Sequence, residues 1–208
     1  MRLCPPYRSA LVLICAVTLL AGCKRNEGEA FEVFATPIPS ILPRHWQVPD
    51  FSLVQSDGST LTTADLRGKV WVADFFYTSC PGPCPMLSSR LQEVHVKTRG
   101  WNDVMLVSIS TDPAKDTPEV LQQYAKRFGA DQRWRFVTGG KQQIFDLANK
   151  GFKLSVTEDG SATEPITHST KLVLVDKNGT IRGFYDGLED SDSGRLIRDI
   201  DRLRKESR

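Results

Sequence analysis

Lys69-Val70-Trp71-Val72-Ala73-Asp74-Phe75-Phe76-Tyr77-Thr78-Ser79-Cys80-Pro81-Gly82-Pro83-Cys84-Pro85 contains the change of character from which the fold can be read. Lys69 to Phe76 is mostly apolar and rich in β-branched and aromatic side chains. A run of that kind predicts a central strand covered on both faces. Pro81 and Pro83 then stiffen a loop that holds the two sulfurs near one position. Met86, Leu87, Leu91 and Val94 follow at helical spacing, Gly100 ends that helix, and Pro85 is acceptable in its first turn. The cysteine pair thus sits between a buried strand and a helix N-terminus. Free N–H groups and the helix dipole there favour a thiolate, so a lowered Cys pKa is expected.

Downstream, Val104 to Ile109 reads as a second buried strand. Asp116-Thr117-Pro118-Glu119 starts a helix whose apolar stripe is Val120, Leu121, Tyr124 and Phe128. Trp134 to Val137 predicts a short strand, and Gln142 to Lys150 a short helix ended by Gly151. Lys171 to Asp176 is a strand that turns at Lys177-Asn178-Gly179-Thr180 into Ile181 to Tyr185. A last helix carries Leu196, Ile197, Ile200 and Leu203. Upstream, Phe51 and Leu53 begin an extended segment that turns at Asp57-Gly58. Strands alternating with helices, then a hairpin and a helix, imply an α/β fold: a central mixed sheet with helices on both faces. With a Cys pair entering the first helix, this order resembles the thioredoxin-like pattern.

The chain's beginning has a different chemistry. Arg2 and Arg8 precede an apolar stretch from Ala10 to Ala21, and Leu20-Ala21-Gly22-Cys23 closes it. This is the composition of an export signal over residues 1–22, too short for the roughly 20 apolar residues of a spanning helix. The closing tetrapeptide matches the bacterial lipoprotein box, in which Cys23 becomes the acylated first residue. Residues 23–49, rich in charge, Gly and Pro, read as a flexible tether from the lipid, and residues 50–208 as the domain. The expected location is outside the cytoplasm, membrane-anchored, with the domain on the periplasmic or extracytoplasmic side. Without residues 1–22, 25 basic residues face 25 acidic ones, so nothing in the charge favours nucleic acid or an acidic partner.

Of five cysteines, only Cys80 and Cys84 remain inside the domain. A domain of this size does not need a disulfide staple, and a disulfide framework would use more pairs. Thiol–disulfide enzymes of the thioredoxin type place two residues between their cysteines; three stand here. The wider loop can close a disulfide, but it also lets both sulfurs point at one ion. Soft thiolates select Cu(I), zinc or iron–sulfur clusters, and structural zinc would want four protein ligands. Two thiolates plus an imidazole suit copper better. His45 falls in the tether and His95 on the exposed side of the first helix, both expected as surface residues. His168 precedes the 171–176 strand, whose leading loop faces the Cys pair in a thioredoxin-like sheet. It is the natural third ligand, with a polar loop histidine as the alternative. A peroxide-reducing enzyme would want a Thr three residues before its reactive Cys, where Tyr77 stands.

Three ordered blocks carry a more specific resemblance. Phe75 to Pro85, Val107 to Pro118 (VSISTDPAKDTP), and Ile166-Thr167-His168-Ser169 before an apolar strand and Asp176 resemble the Sco/SenC family over roughly residues 50–205. The resemblance implies copper ligands at Cys80, Cys84 and His168, with copper as Cu(I), Cu(II) or both. It implies a metallochaperone helping to assemble the dinuclear copper site of cytochrome c oxidase subunit II, with that subunit or another copper-receiving exported protein as partner. The alternative is a thiol–disulfide oxidoreductase in which Cys80 and Cys84 are the redox pair. Asp112 stands where the family has an acid beside the site, or is a turn residue before Pro113. Tyr77 lines the site or ends the strand. Gly82 and Pro83 replace an acidic residue often found in this loop.

Overall fold

The computed structural model describes residues 41–161 and 165–206; the export signal, Cys23 and the tether up to residue 40 lie outside the described residues. In chain order the elements are β1 (Ser52–Gln55), β2 (Thr60–Thr62), β3 (Val70–Phe76), α1 (Cys84–Lys97), β4 (Val104–Ser110), α2 (Pro118–Arg127), β5 (Trp134–Thr138), α3 (Lys141–Asp146), β6 (Val156–Thr157), β7 (Thr167–His168), β8 (Lys171–Val175), β9 (Ile181–Asp186) and α4 (Asp190–Lys205). Seven strands form one sheet in the order β2-β1-β5-β4-β3-β8-β9, and β6 pairs with β7 in a second, small sheet.

Every residue of β3 and of β4 is buried, as their mostly apolar character leads one to expect. β3 pairs in parallel with β4 and antiparallel with β8. On one face Phe76 and Phe136 meet Tyr124 of α2, and Trp134 meets His95 of α1. On the other face Phe152, just after α3, packs edge-on against Trp71 and Phe75. Helices therefore cover both faces, and the thioredoxin-like α/β architecture is as expected.

Three local expectations change. The chain is packed from Leu42, not from residue 50: Leu42 and Val48 are buried, Val48 N donates to Gly179 O and Gln47 bridges to Thr180. Apolar Leu42, Trp46 and Val48 override the loop-like composition around them, and a Cβ on Gly151 would come within 2.9 Å of Pro49. His95 is buried, not exposed; its ring lies against Trp134, and Asp131 approaches its Nε2 at 3.5 Å. Gly151 does not end the third helix. Residues Leu147–Phe152 widen into a π-helical turn, and Lys153, at φ 55°, terminates it in the left-handed region.

Arg182 ties the packed leader to the domain. Its side chain is fully buried and donates to Pro43 O at 2.8 Å, Leu42 O at 3.0 Å, Asp176 at 3.0 Å and Glu206 at 2.8 Å. Removing one partner of a buried ion network strands the others, at a cost of about 3–5 kcal/mol. Arg182→Met should lose stability of that order in urea denaturation. It should also speed amide exchange at His45 and Val48, which bond Ile181 O and Gly179 O. A loss below about 1 kcal/mol would show that the network adds little.

Candidate metal centre

The site lies where β3 runs out of partners. The chain leaves the sheet at Tyr77, and the next residue is caught from below: Thr78 N (3.0 Å) and Thr78 Oγ1 both donate to the Asp116 carboxylate. Ser110 Oγ, at the end of β4, donates to the same group. Asp116 is completely out of water, and these hydrogen bonds satisfy its carboxyl oxygens. It anchors the root of the cysteine loop. Cys80 N then bonds Tyr77 O, and Cys84 opens α1 as its first residue.

His168 arrives from elsewhere. It lies on β7, paired with Val156 of β6, and β8 begins three residues later. Its Nε2 stands 3.0 Å from Cys84 Sγ. Its Nδ1 lies 3.1 Å from Ser169 O. A carbonyl can only accept, so Nδ1 carries the proton and Nε2 presents its lone pair. The Tyr77 ring meets the imidazole edge to face at 5.6 Å. Gly187 lets α1 and the approach to β8 close up, since a Cβ there would fall 2.2 Å from Leu87 and 2.9 Å from Thr170 O.

The ligand atoms of Cys80, Cys84 and His168 lie within 4.8 Å of one another, close enough to share one metal ion. Both cysteines are free; Cys84 is wholly buried, Cys80 nearly so, and His168 half-buried. The expected fall in thiol pKa does not occur at Cys84. Burial pushes that thiol far up, and the neighbouring Cys80 and Asp74 add to the rise. Pro83 and Pro85 flank it without N–H groups, so the helix end offers less than its position suggested.

Asp112 sits on the loop after β4, where its carboxylate pairs with Lys115 at 3.3 Å and its carbonyl accepts from Asp116 N. Among the described residues it is outside the three-ligand group. His45 is exposed against Trp46 and Phe184. The sequence reading passed over Asp74 and Asp116. Asp116 looks like an ordinary helix-start acid in sequence. Asp74 had a signal: it is the one acidic residue in the buried β3 run. Neither of its carboxylate oxygens has a hydrogen-bond partner, and burial raises its pKa to about 7, offset in part by Ser108 opposite on β4.

A thioredoxin-like sheet whose first crossover carries two cysteines, faced by a histidine ahead of β8, defines a protein with a thiol-and-imidazole cluster at the rim of the sheet. The SCO1/SenC family model matches residues 43–205, and the chain belongs to that family. A SCO1/SenC family lipoprotein of Bacillus anthracis superposes with a TM-score of 0.73 at 30% identity, over 79% of this chain and 99% of that one. BsSco, described as a member of the Sco family of cytochrome c oxidase assembly proteins with a disulfide switch, gives 0.70 at 28%, over 78% and 95%. Arabidopsis thaliana ScoI with copper bound gives 0.64 at 25%, over 76% and 98%. Copper is the metal of the family's loaded structures, and Cys80, Cys84 and His168 could form a copper site here.

Asp74 makes stability depend on pH in a direction opposite to a salt-bridged acid. In the folded chain it keeps its proton up to about pH 7, whereas unfolded it loses it near 3.8. The native state therefore binds more protons between those values, and stability falls as pH rises through that window. The full effect is at most on the order of 4 kcal/mol. Asp74→Asn should flatten the urea-midpoint profile between about pH 4 and 7. An unchanged slope would mean that another group titrates there.

Proposed function

We propose that this chain is a copper metallochaperone. It holds Cu(I) or Cu(II) on Cys80, Cys84 and His168 and delivers it to the dinuclear copper site of cytochrome c oxidase subunit II, or to another copper-receiving exported protein. The observation that carries this is the 3.0 Å approach of His168 Nε2 to Cys84 Sγ. It supplies a nitrogen donor, in the right tautomer, beside two soft sulfurs. Copper here is cargo. Three protein ligands leave coordination open for a ligand of the recipient, and exchange can proceed one bond at a time. The half-buried His168 is the accessible edge of the group, while Cys84 is sealed beneath it. The thiols give up their protons as the metal takes their place. The description of BsSco as an oxidase assembly protein and the copper in Arabidopsis ScoI support the assignment.

Thiol–disulfide exchange is the second reading, favoured by two free cysteines in one cluster and by the disulfide switch described for BsSco. Exchange needs one thiolate as nucleophile; burial holds Cys84 as a thiol, which casts Cys80 as the attacking group. His168 separates the two readings, since a disulfide does not need a distant imidazole.

The domain works on the extracytoplasmic side of a membrane, held by acylated Cys23. Support comes from Leu20-Ala21-Gly22-Cys23 and from the B. anthracis relative described as a lipoprotein. No helix among the described residues is long and apolar enough to cross a membrane.

Anaerobic copper titration of the reduced protein should show one tight equivalent with thiolate-to-copper charge-transfer absorption. Cys84→Ser should abolish it. His168→Ala should weaken affinity by about tenfold or more and leave the Cys80–Cys84 disulfide able to form. No tight equivalent, or equal affinity in His168→Ala, overturns the copper assignment. Cys23→Ser should move the protein from the membrane to the soluble fraction; continued membrane association would refute the lipid anchor.

A further inference from the structure

His168 is carried by a strand of two residues, too short to hold an imidazole in place by its own pairing. Its partner β6 is equally short. What fixes β6 is a side chain. Asn149, in the π-helical turn after α3, donates from Nδ2 to Val156 O at 3.0 Å and accepts from Val156 N at its Oδ1, also at 3.0 Å. The carboxamide takes both backbone groups of one residue, as the peptide of an adjoining strand would.

Antiparallel geometry makes this specific. Where Val156 faces His168, the N–H and C=O of Val156 point away from β7, into the Asn149 amide. Hydrogen bonding between the segments flanks this pair instead, as from Ser169 N to Ser155 O at 3.1 Å. A pair of this type, without mutual hydrogen bonds, brings its side chains closest, so Val156 stands beside His168 on the same face. The turn that bears Asn149 is itself bolted to the sheet. Phe152 is wholly buried against Trp71 and Phe75 of β3, and Leu154 N bonds Ala148 O. β3 leads directly to Cys80.

We propose that Asn149 is the positioning residue for His168: its carboxamide acts as a third strand beside β6 and holds the imidazole within reach of Cys84, an inference that rests on the copper assignment above. It touches neither cysteine nor metal.

The test is a double-mutant cycle on the full-length protein, read by anaerobic copper titration and charge-transfer absorption. Asn149→Ala should weaken copper binding by about tenfold and shift the absorption toward that of His168→Ala. In a His168→Ala background it should weaken binding no further. In the metal-free protein, amide exchange at Val156 and Ser169 should accelerate, while exchange across β3 and β4 stays unchanged. Asn149→Asp, which keeps the acceptor but sets a carboxylate oxygen against Val156 O, should weaken binding at least as much and serves if the alanine variant folds poorly. Wild-type affinity in both variants overturns the proposal, as does an equal loss with and without His168. If His168→Ala alone leaves copper binding intact, the copper ligand set has failed instead, and the exchange data still decide whether Asn149 holds β6.

Discussion

From Val70 to Phe76, β3 is shut off from water on both faces, and such a strand must find every backbone partner at its edges. It finds them in parallel β4 and antiparallel β8. Those two directions decide where chemistry can occur. Parallel pairing puts the loop after β4, with Asp116, at the end where β3 releases the cysteine loop. Antiparallel pairing puts the beginning of β8, and His168 just before it, at that same end. Three segments distant in the chain therefore converge on one rim because the central strand has two neighbours of opposite sense.

Burial that stabilises this arrangement also sets its electrostatics. Water is excluded around Asp74, Cys84 and Tyr124, and each resists ionisation for that reason first. Asp116 is just as dry, but its carboxyl oxygens accept from three donors where those of Asp74 have no partner. In the absence of metal, burial keeps Cys84 a thiol beside the imidazole Nε2. A soft cation takes the place of that proton when it binds. The same core supplies rigidity: Phe152 wedges against β3, Tyr77 braces the imidazole, and the Asn149 amide extends that frame out to β6.

Much of this was legible in order. Mostly apolar runs mark β3 and β4, Asn178-Gly179 marks the β8–β9 turn, and helical spacing marks α1, α2 and α4. The misreadings share a cause. His95 was placed outside because one-helix periodicity cannot see Trp134 arriving from β5. Gly151 carries the signature of a helix stop, because glycine favours helix C-termini. It is there instead to admit Pro49, and its carbonyl accepts from Trp46 Nε1 at 2.6 Å. Residues 42–49 were read as tether because Pro and charge dominate their composition, whereas Leu42 and Val48 decide their packing.

The sequence by itself determined the fold class, the cysteine pair at a strand-to-helix junction, and a short set of donors containing the third one. Those are local properties: apolar period, proline and glycine chemistry, and residue spacing. Only the tertiary structure decided that His168 Nε2 reaches Cys84, that Asp116 and not Asp112 roots the loop, that Cys84 stays protonated, and that Asn149 stands behind β6. Proximity, desolvation and hydrogen-bond partners across the sheet depend on which segments meet, and no window of neighbouring residues contains that information.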